Sequence, residues 1–375
     1  MATENMTYLD VLNQFRKNQL DGEVSMGVRR LSYAAFKSKA REHQVRFREN
    51  ILGVGFNKYG NVLNYADARK GLIFFEGFRD EIMQKLKEPV HPTSSAPSGQ
   101  MLTNLLRSEH IPYNIFFPML HDLDGAKTLF NNLLGLSIGK IEDIQIEYHP
   151  EPIERYLSDH TAFDVYIPYK DTSGQTCGIG IEVKYTENEY ILKEGSTEYK
   201  HVKDNKGNTR LFEPYAWATK ESGYYKESVS LDELVSNKYR QIWRNHILGA
   251  SMVLRGDIAK FTSVTLYPLE NIHFSLDAMP NYKKFLTDEK SNTCAPLCYE
   301  DLFSYMEKYL NVANKEEWIL YLRRRYLFPY IALCIRSVIS RLWRLWRLNN
   351  ENYTYVTHLI TKKCVILHPN RLFRE

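Results

Sequence analysis

The spacing of apolar residues changes along the chain in a way that separates helices from strands. Across 31–52 they are sparse in a polar background (Tyr33, Phe36, Val45, Phe47, Ile51), which predicts a surface helix carrying Lys37, Lys39, Arg41, Arg46 and Arg48. Across 122–134, Ala126, Leu129, Phe130, Leu133 and Leu134 recur at helical spacing and Gly135 supplies a stop, so a second helix is predicted there. Residues 140–148 place Ile141, Ile144 and Ile146 in an imperfect alternation that reads as a strand. The run 161–169 sets Phe163, Val165 and Ile167 on one side and Asp164 on the other. A segment of hairpin-turn composition, 170–177, leads to a run that alternates strictly: Ile179, Ile181 and Val183 point one way, Gly180, Glu182 and Lys184 the other. Residues 230–252 form a predicted amphipathic helix with Ile242, Trp243, His246 and Ala250 on the apolar arc and Asn237, Lys238, Gln241, Arg244 and Asn245 opposite. His246, on the apolar side, reads as a core histidine. A last strand is predicted over 261–267. The order helix, strand, strand, strand, helix, strand describes an α/β fold with a mixed sheet.

The 375-residue chain, 43% hydrophobic, is long enough for about two domains. The Pro/Ser-rich stretch EPVHPTSSAPSGQ at 88–100 reads as a linker, giving a helical N-terminal segment 1–100, a central domain 101–317 and a C-terminal segment 318–375. That last segment is basic. It holds eleven Lys or Arg against two Glu, which leaves 38 basic and 43 acidic residues before it. Within it, 330–348 sets Arg336, Arg341, Arg344 and Arg347 opposite Ile339, Leu342, Trp343 and Trp346. Docking on the protein's own acidic body is the preferred reading of this amphipathic stretch; membrane-surface association and nucleic-acid contact are the alternatives.

Other patterns narrow the chemistry. The N-terminus has no basic region followed by an apolar core and no long uncharged apolar run occurs, which makes cytoplasmic residence the expectation. The five cysteines lack a paired zinc-ligand spacing and read as reduced thiols. Gly135 to Lys140 has the wrong spacing for a phosphate loop, and no serine-hydrolase or zinc-protease motif is present.

The charged residues of the two central strands carry the candidate chemistry. If the strands pair, Asp164 shares a face with Glu182 and Lys184, and two carboxylates beside an ammonium suit a hard divalent cation such as Mg²⁺. Asp164, seventeen residues, then Glu182-Val183-Lys184 resembles the active-site signature of the PD-(D/E)XK nuclease superfamily, with Phe163 where a proline usually stands. The predicted element order is also that of the superfamily's common αβββαβ core. Over 108–268, through the runs SEHIPYNIFFPML, DHTAFDVYIPY, GIGIEVKYTE and YRQIWRNHILGA, the chain further resembles bacterial restriction-endonuclease-like proteins of this superfamily. The resemblance implies a Mg²⁺- or Mn²⁺-dependent endonuclease acting on DNA, with restriction or defence as its role. Asp164, Glu182 and the Val183 carbonyl would ligate the metal, Glu147 is a candidate further acid at the metal, and Lys184 would orient or deprotonate the attacking water. Lys238, Gln241, Arg244 and Asn245 correspond to the helix that lines such sites or meets the phosphate backbone. Loss of Asp164 or Lys184 is expected to abolish cleavage and leave folding nearly intact. Asp159 and His160 read as turn formers. A non-catalytic nucleic-acid-binding protein that retains the fold is the alternative, and a homodimer is left open.

Overall fold

The computed structural model describes residues 33–87 and 99–327. A six-stranded sheet forms its centre: β1 (Ile138–Ile141), β2 (Gln145–Tyr148), β3 (Phe163–Asp171), β4 (Thr176–Val183), β5 (Lys260–Tyr267) and β6 (Cys294–Cys298). The order is β1-β3-β4-β5-β6, with β2 beside β1 along β3. Strands β1, β2 and β4 run antiparallel to β3, whereas β4, β5 and β6 are mutually parallel, so the sheet is mixed. The strand expected over 140–148 is two short strands. The Asp143 carboxylate accepts the Ile144 N–H at 2.8 Å, a local bond that competes with the ladder and breaks it.

The five longest helices among the described residues are α1 (Tyr33–Phe47), α2 (Leu123–Leu134), α3 (Arg240–Leu254), α4 (Tyr299–Tyr309) and α5 (Lys315–Tyr326). Helix α2 has the predicted ends: Asp122 accepts the Gly125 N–H at 2.9 Å, and Gly135 closes it in the left-handed conformation at φ 66°. The helix expected over 230–252 is interrupted. Ser230 caps a short helix, Leu231–Leu234, and α3 starts afresh at Arg240. Asn237 lies in the break because its carbonyl accepts from Tyr190 N at 3.2 Å and its side chain from Leu192 N at 3.2 Å, tying this turn to residues 190–192.

The alternation of β4 divides the core in two. Ile179, Ile181 and Val183 are fully buried with Val165, Ile167, Val264 and Leu266 against α2 and α4. On the other face, α3 packs Ile242, Trp243, Ile247 and Ala250 over the sheet. Phe163 joins this second face, packed on Tyr166 and Phe261, and not the side of Val165 as the simple alternation predicts. Close packing of α3 depends on missing side chains: a Cβ on Gly249 would lie 2.0 Å from the Phe261 ring, and one on Gly180 would lie 2.6 Å from Phe163.

The divisions expected at 100/101 and 317/318 do not separate cores. Phe36 and Ala40 of α1, and Trp318 and Leu322 of α5, are buried in the same cluster as the sheet. The second division falls inside α5. The amphipathic stretch 330–348 and most of the expected linker lie outside the described residues, and Gly99 and Gln100 open a short helix, Gly99–Thr103. Among the described residues no helix is long and apolar enough to cross a membrane, and Cys177, Cys294 and Cys298 are buried free thiols.

Candidate active site

Strand register brings three carboxylates into one row. Tyr148 pairs with Phe163 and Ile146 with Val165, so Glu147 falls opposite Asp164. Val165 pairs with Ile181, so on the far side of Asp164 the next residue across is Glu182. Adjacent strands are about 4.8 Å apart, which sets the three acids side by side across β2, β3 and β4. Glu147 reaches this row from a left-handed backbone, φ 58°, a conformation that costs a non-glycine residue about 1–2 kcal/mol.

The acids repel one another in a site that is largely closed to water. Burial, then Glu182 and Glu147, pushes the Asp164 carboxyl well above its ordinary value, against the pull of Lys184 and of the Val183 N–H, which donates to Asp164 Oδ2 at 2.6 Å. Burial, with Glu182 and Glu109, pushes the Glu147 carboxyl up to about 7.

Lys184 extends from the end of β4, where its carbonyl accepts the Tyr299 hydroxyl at 2.8 Å and its N–H donates to Leu266 at 2.7 Å. Its side chain is only 2% exposed. The ammonium donates to Glu182 Oε1 and to Gln241 Oε1, each at 2.5 Å, and lies 4.9 Å from the centre of the Tyr190 ring. Burial alone would lower its proton affinity, but Glu182, with Tyr190 and Asp164, holds it above the ordinary lysine value. Asn245, one turn after Gln241 on α3, donates to the other oxygen, Glu182 Oε2. The polar arc of α3 therefore meets the site through Gln241 and Asn245.

Lys238 and Arg244 are not brought to the carboxylates. Lys238 pairs with Asp277 at 2.5 Å. Arg244 is 18% exposed and is surrounded by internal partners: Asp159 at 3.1 Å, Glu198 at 3.3 Å, Thr161 Oγ1 at 2.5 Å and the Tyr215 hydroxyl at 2.9 Å. Those contacts turn it toward Asp159 and Glu198 and away from the acid row. Asp159 is likewise more than a turn former: it accepts the Thr161 N–H at 2.9 Å and also anchors Tyr215 and Arg244. His246 is fully buried between Tyr282 and Thr293, as its place on the apolar arc predicts. Tyr190 and Tyr299 belong to the surroundings of Lys184 and were invisible to spacing, since 190 and 299 reach it through tertiary contacts alone.

The donor set fits a hard dication. A row of acids that raises its own proton affinities is relieved by positive charge. Asp164 and Glu182, with the Val183 carbonyl, would hold Mg²⁺ or Mn²⁺, and water and phosphate oxygens would complete the shell. Among the described residues no three His, Cys, Asp or Glu side chains are gathered as a ready-made cage. Glu182 already accepts from Lys184 and Asn245, but each carboxylate oxygen has a second lone pair to offer.

A mixed sheet with an acid row at its centre, a lysine two residues beyond one acid and an amide-bearing helix across from both defines a nuclease-type α/β fold. The chain belongs to the PD-(D/E)XK nuclease superfamily, whose family model matches residues 32–328. That span includes α1 and α5 as well as the sheet. No curated protein and no solved structure matches the chain significantly.

Proposed function

We propose that the protein is a divalent-metal-dependent nuclease that hydrolyses phosphodiester bonds of DNA. The observation that carries this reading is the row Glu147–Asp164–Glu182 with the buried Lys184 ammonium bonded to its last member. A dication held by Asp164 and Glu182 would supply positive charge against the negative charge that grows on phosphorus as water adds. Val183 N–H fixes the Asp164 rotamer, and Asn245 with Lys184 fixes Glu182, so both carboxylates are oriented before substrate arrives. Lys184 is held as an ammonium; it orients water and stabilises a phosphate oxygen, and does not take the water's proton. Glu147, opposite Asp164 in the row, is the residue we assign to accept that proton. A water–phosphorus bond forms and the bond to the 3′-oxygen breaks. The proton passes to that oxygen, leaving a 5′-phosphate and a 3′-hydroxyl.

Restriction or defence against foreign DNA, in the cytoplasm and with a homodimer as the assembly to look for, is the role we attach to this activity. The test is incubation of the purified protein with closed circular plasmid, linear duplex and single strands, with and without Mg²⁺ or Mn²⁺. Nicking or linearisation of the closed circle only with metal is expected. No cleavage of any substrate with either metal would favour the non-catalytic nucleic-acid-binding alternative.

A further inference from the structure

Beside the acid row lies a cleft of about 760 Å³ between α1, the segment around Tyr59 and the chain that follows β4. Such a volume is in the range of roughly 300–1,000 Å³ typical of ligand pockets. Its polar lining is basic on one wall. Lys37 and Arg41 project from α1, and among the described residues neither has an ion-pair partner; Arg41 bonds only Asn61, at 2.8 Å. On the opposite wall Glu187 is occupied by two backbone N–H groups, those of Tyr185 at 2.7 Å and Ser108 at 3.2 Å, and Glu189 is exposed. Two aromatic rings face the opening: Tyr59 is 54% exposed and Tyr190 is 40% exposed. Large aromatic groups left in solvent at the mouth of a cleft with one basic wall suit a ligand that brings both anionic charge and flat apolar faces. Tyr190 also joins the cleft to the site, because its ring lies over the Lys184 ammonium.

We infer that this cleft holds an unpaired polynucleotide strand, with bases stacked on Tyr59 and Tyr190 and phosphates against Lys37 and Arg41, and leads it to Lys184. The inference rests on reading the acid row as a phosphodiesterase site. A duplex hides its base faces inside the stack, whereas a single strand offers every base to an aromatic ring, largely independent of sequence. The cleft therefore selects strandedness rather than sequence. Duplex substrates would be cut at frayed ends, gaps or locally melted segments.

The test is fluorescence anisotropy with labelled strands of roughly 15 nucleotides, in chelator so that nothing is cut. DNA and RNA strands and their duplexes form the four arms. Either single strand is expected to bind at least about tenfold more tightly than its own duplex, and the ratio between the two strands assigns the sugar. Tyr59→Ala and Tyr190→Ala should each weaken single-strand binding about tenfold, with Tyr59→Phe near wild type. Lys37→Gln with Arg41→Gln should flatten the dependence of log affinity on log salt by about 1.4. Duplex bound as tightly as single strand, or Tyr59→Ala binding the strand like wild type, overturns the inference. Single-strand binding of this kind without metal-dependent cleavage would support the cleft and remove the nuclease reading; cleavage with no preference for single strands in binding would do the reverse.

Discussion

Replacing Lys184 by methionine removes the charge at almost constant volume, and its cost follows from the surroundings. The ammonium is 2% exposed and Glu182, its partner at 2.5 Å, is 12% exposed. Removing one member of a buried pair costs about 3–5 kcal/mol because the other charge is left without compensation. Glu182 keeps the Asn245 hydrogen bond and a little solvent, so the lower end, about 3 kcal/mol, applies. That is a large share of the roughly 5–15 kcal/mol that holds a domain together. Sequence alone leads to the expectation that folding stays nearly intact without this lysine; the burial of the pair leads instead to the expectation of a weakened fold. Adding Glu182→Gln removes the orphaned charge, and the double variant should return to within about 1 kcal/mol of wild type, since neutral replacement of a buried pair is close to neutral in energy. Urea unfolding in chelator near pH 8 reads both quantities as midpoint shifts at constant slope. A single variant as stable as wild type, or a double variant no better than the single, would refute the claim that the Lys184–Glu182 pair is buried and mutually dependent. Neither variant should cleave.

Three further outcomes are expected. Asn245→Ala, which frees one Glu182 oxygen, should slow cleavage about 10- to 100-fold, the worth of a hydrogen bond to a charged group, and raise the Mg²⁺ concentration needed for half-maximal rate; an unchanged metal dependence would deny Asn245 its positioning role. Gly249→Ala should destabilise by about 1–3 kcal/mol in thermal or urea unfolding although alanine is the better helix former by about 1 kcal/mol, because its Cβ would stand 2.0 Å from Phe261; a stabilised variant would mean that α3 sits farther from the sheet. His246, held down to about 3 by burial, binds its proton far more readily in the unfolded chain, so its contribution is complete above about pH 6.5 and declines as pH falls toward 3. Between pH 7 and about 4.5 wild type should lose some 2–3 kcal/mol more than His246→Gln, and parallel pH profiles would show that the imidazole is not buried neutral.

The parts of the molecule that sequence reveals are those governed by local periodicity. The two-residue period of Ile179, Ile181 and Val183 fixed which way Glu182 and Lys184 point, and Asp122 with Gly135 bounded α2 by capping chemistry. Gln241 and Asn245 could be set beside the acids because positions four apart share a helix face. The errors arise where a distant contact overrides the local pattern. Arg244 occupies the same arc as Gln241, yet Asp159 and Glu198, far away in sequence, draw it into an internal network. The break before Arg240 comes from Asn237 bonding to residues 190–192, which no helical periodicity reports. Glu147 could be named but its direction could not, since parity along β2 fails at a residue with a left-handed backbone. The cleft is assembled from α1, the segment around Tyr59 and the chain after β4, and so has no sequence signature at all.

The most direct measurement of the central claim is the single-turnover cleavage rate of a labelled DNA strand by wild type and by Asp164→Asn, with Mg²⁺ and with chelator, on samples whose unfolding midpoints are recorded alongside. Asn keeps the acceptor for the Val183 N–H and removes the charge. Cleavage by wild type with Mg²⁺ alone is expected, and none by a folded Asp164→Asn protein under any condition. Equal rates for the two proteins, or a wild-type rate that chelator leaves unchanged, would contradict that claim.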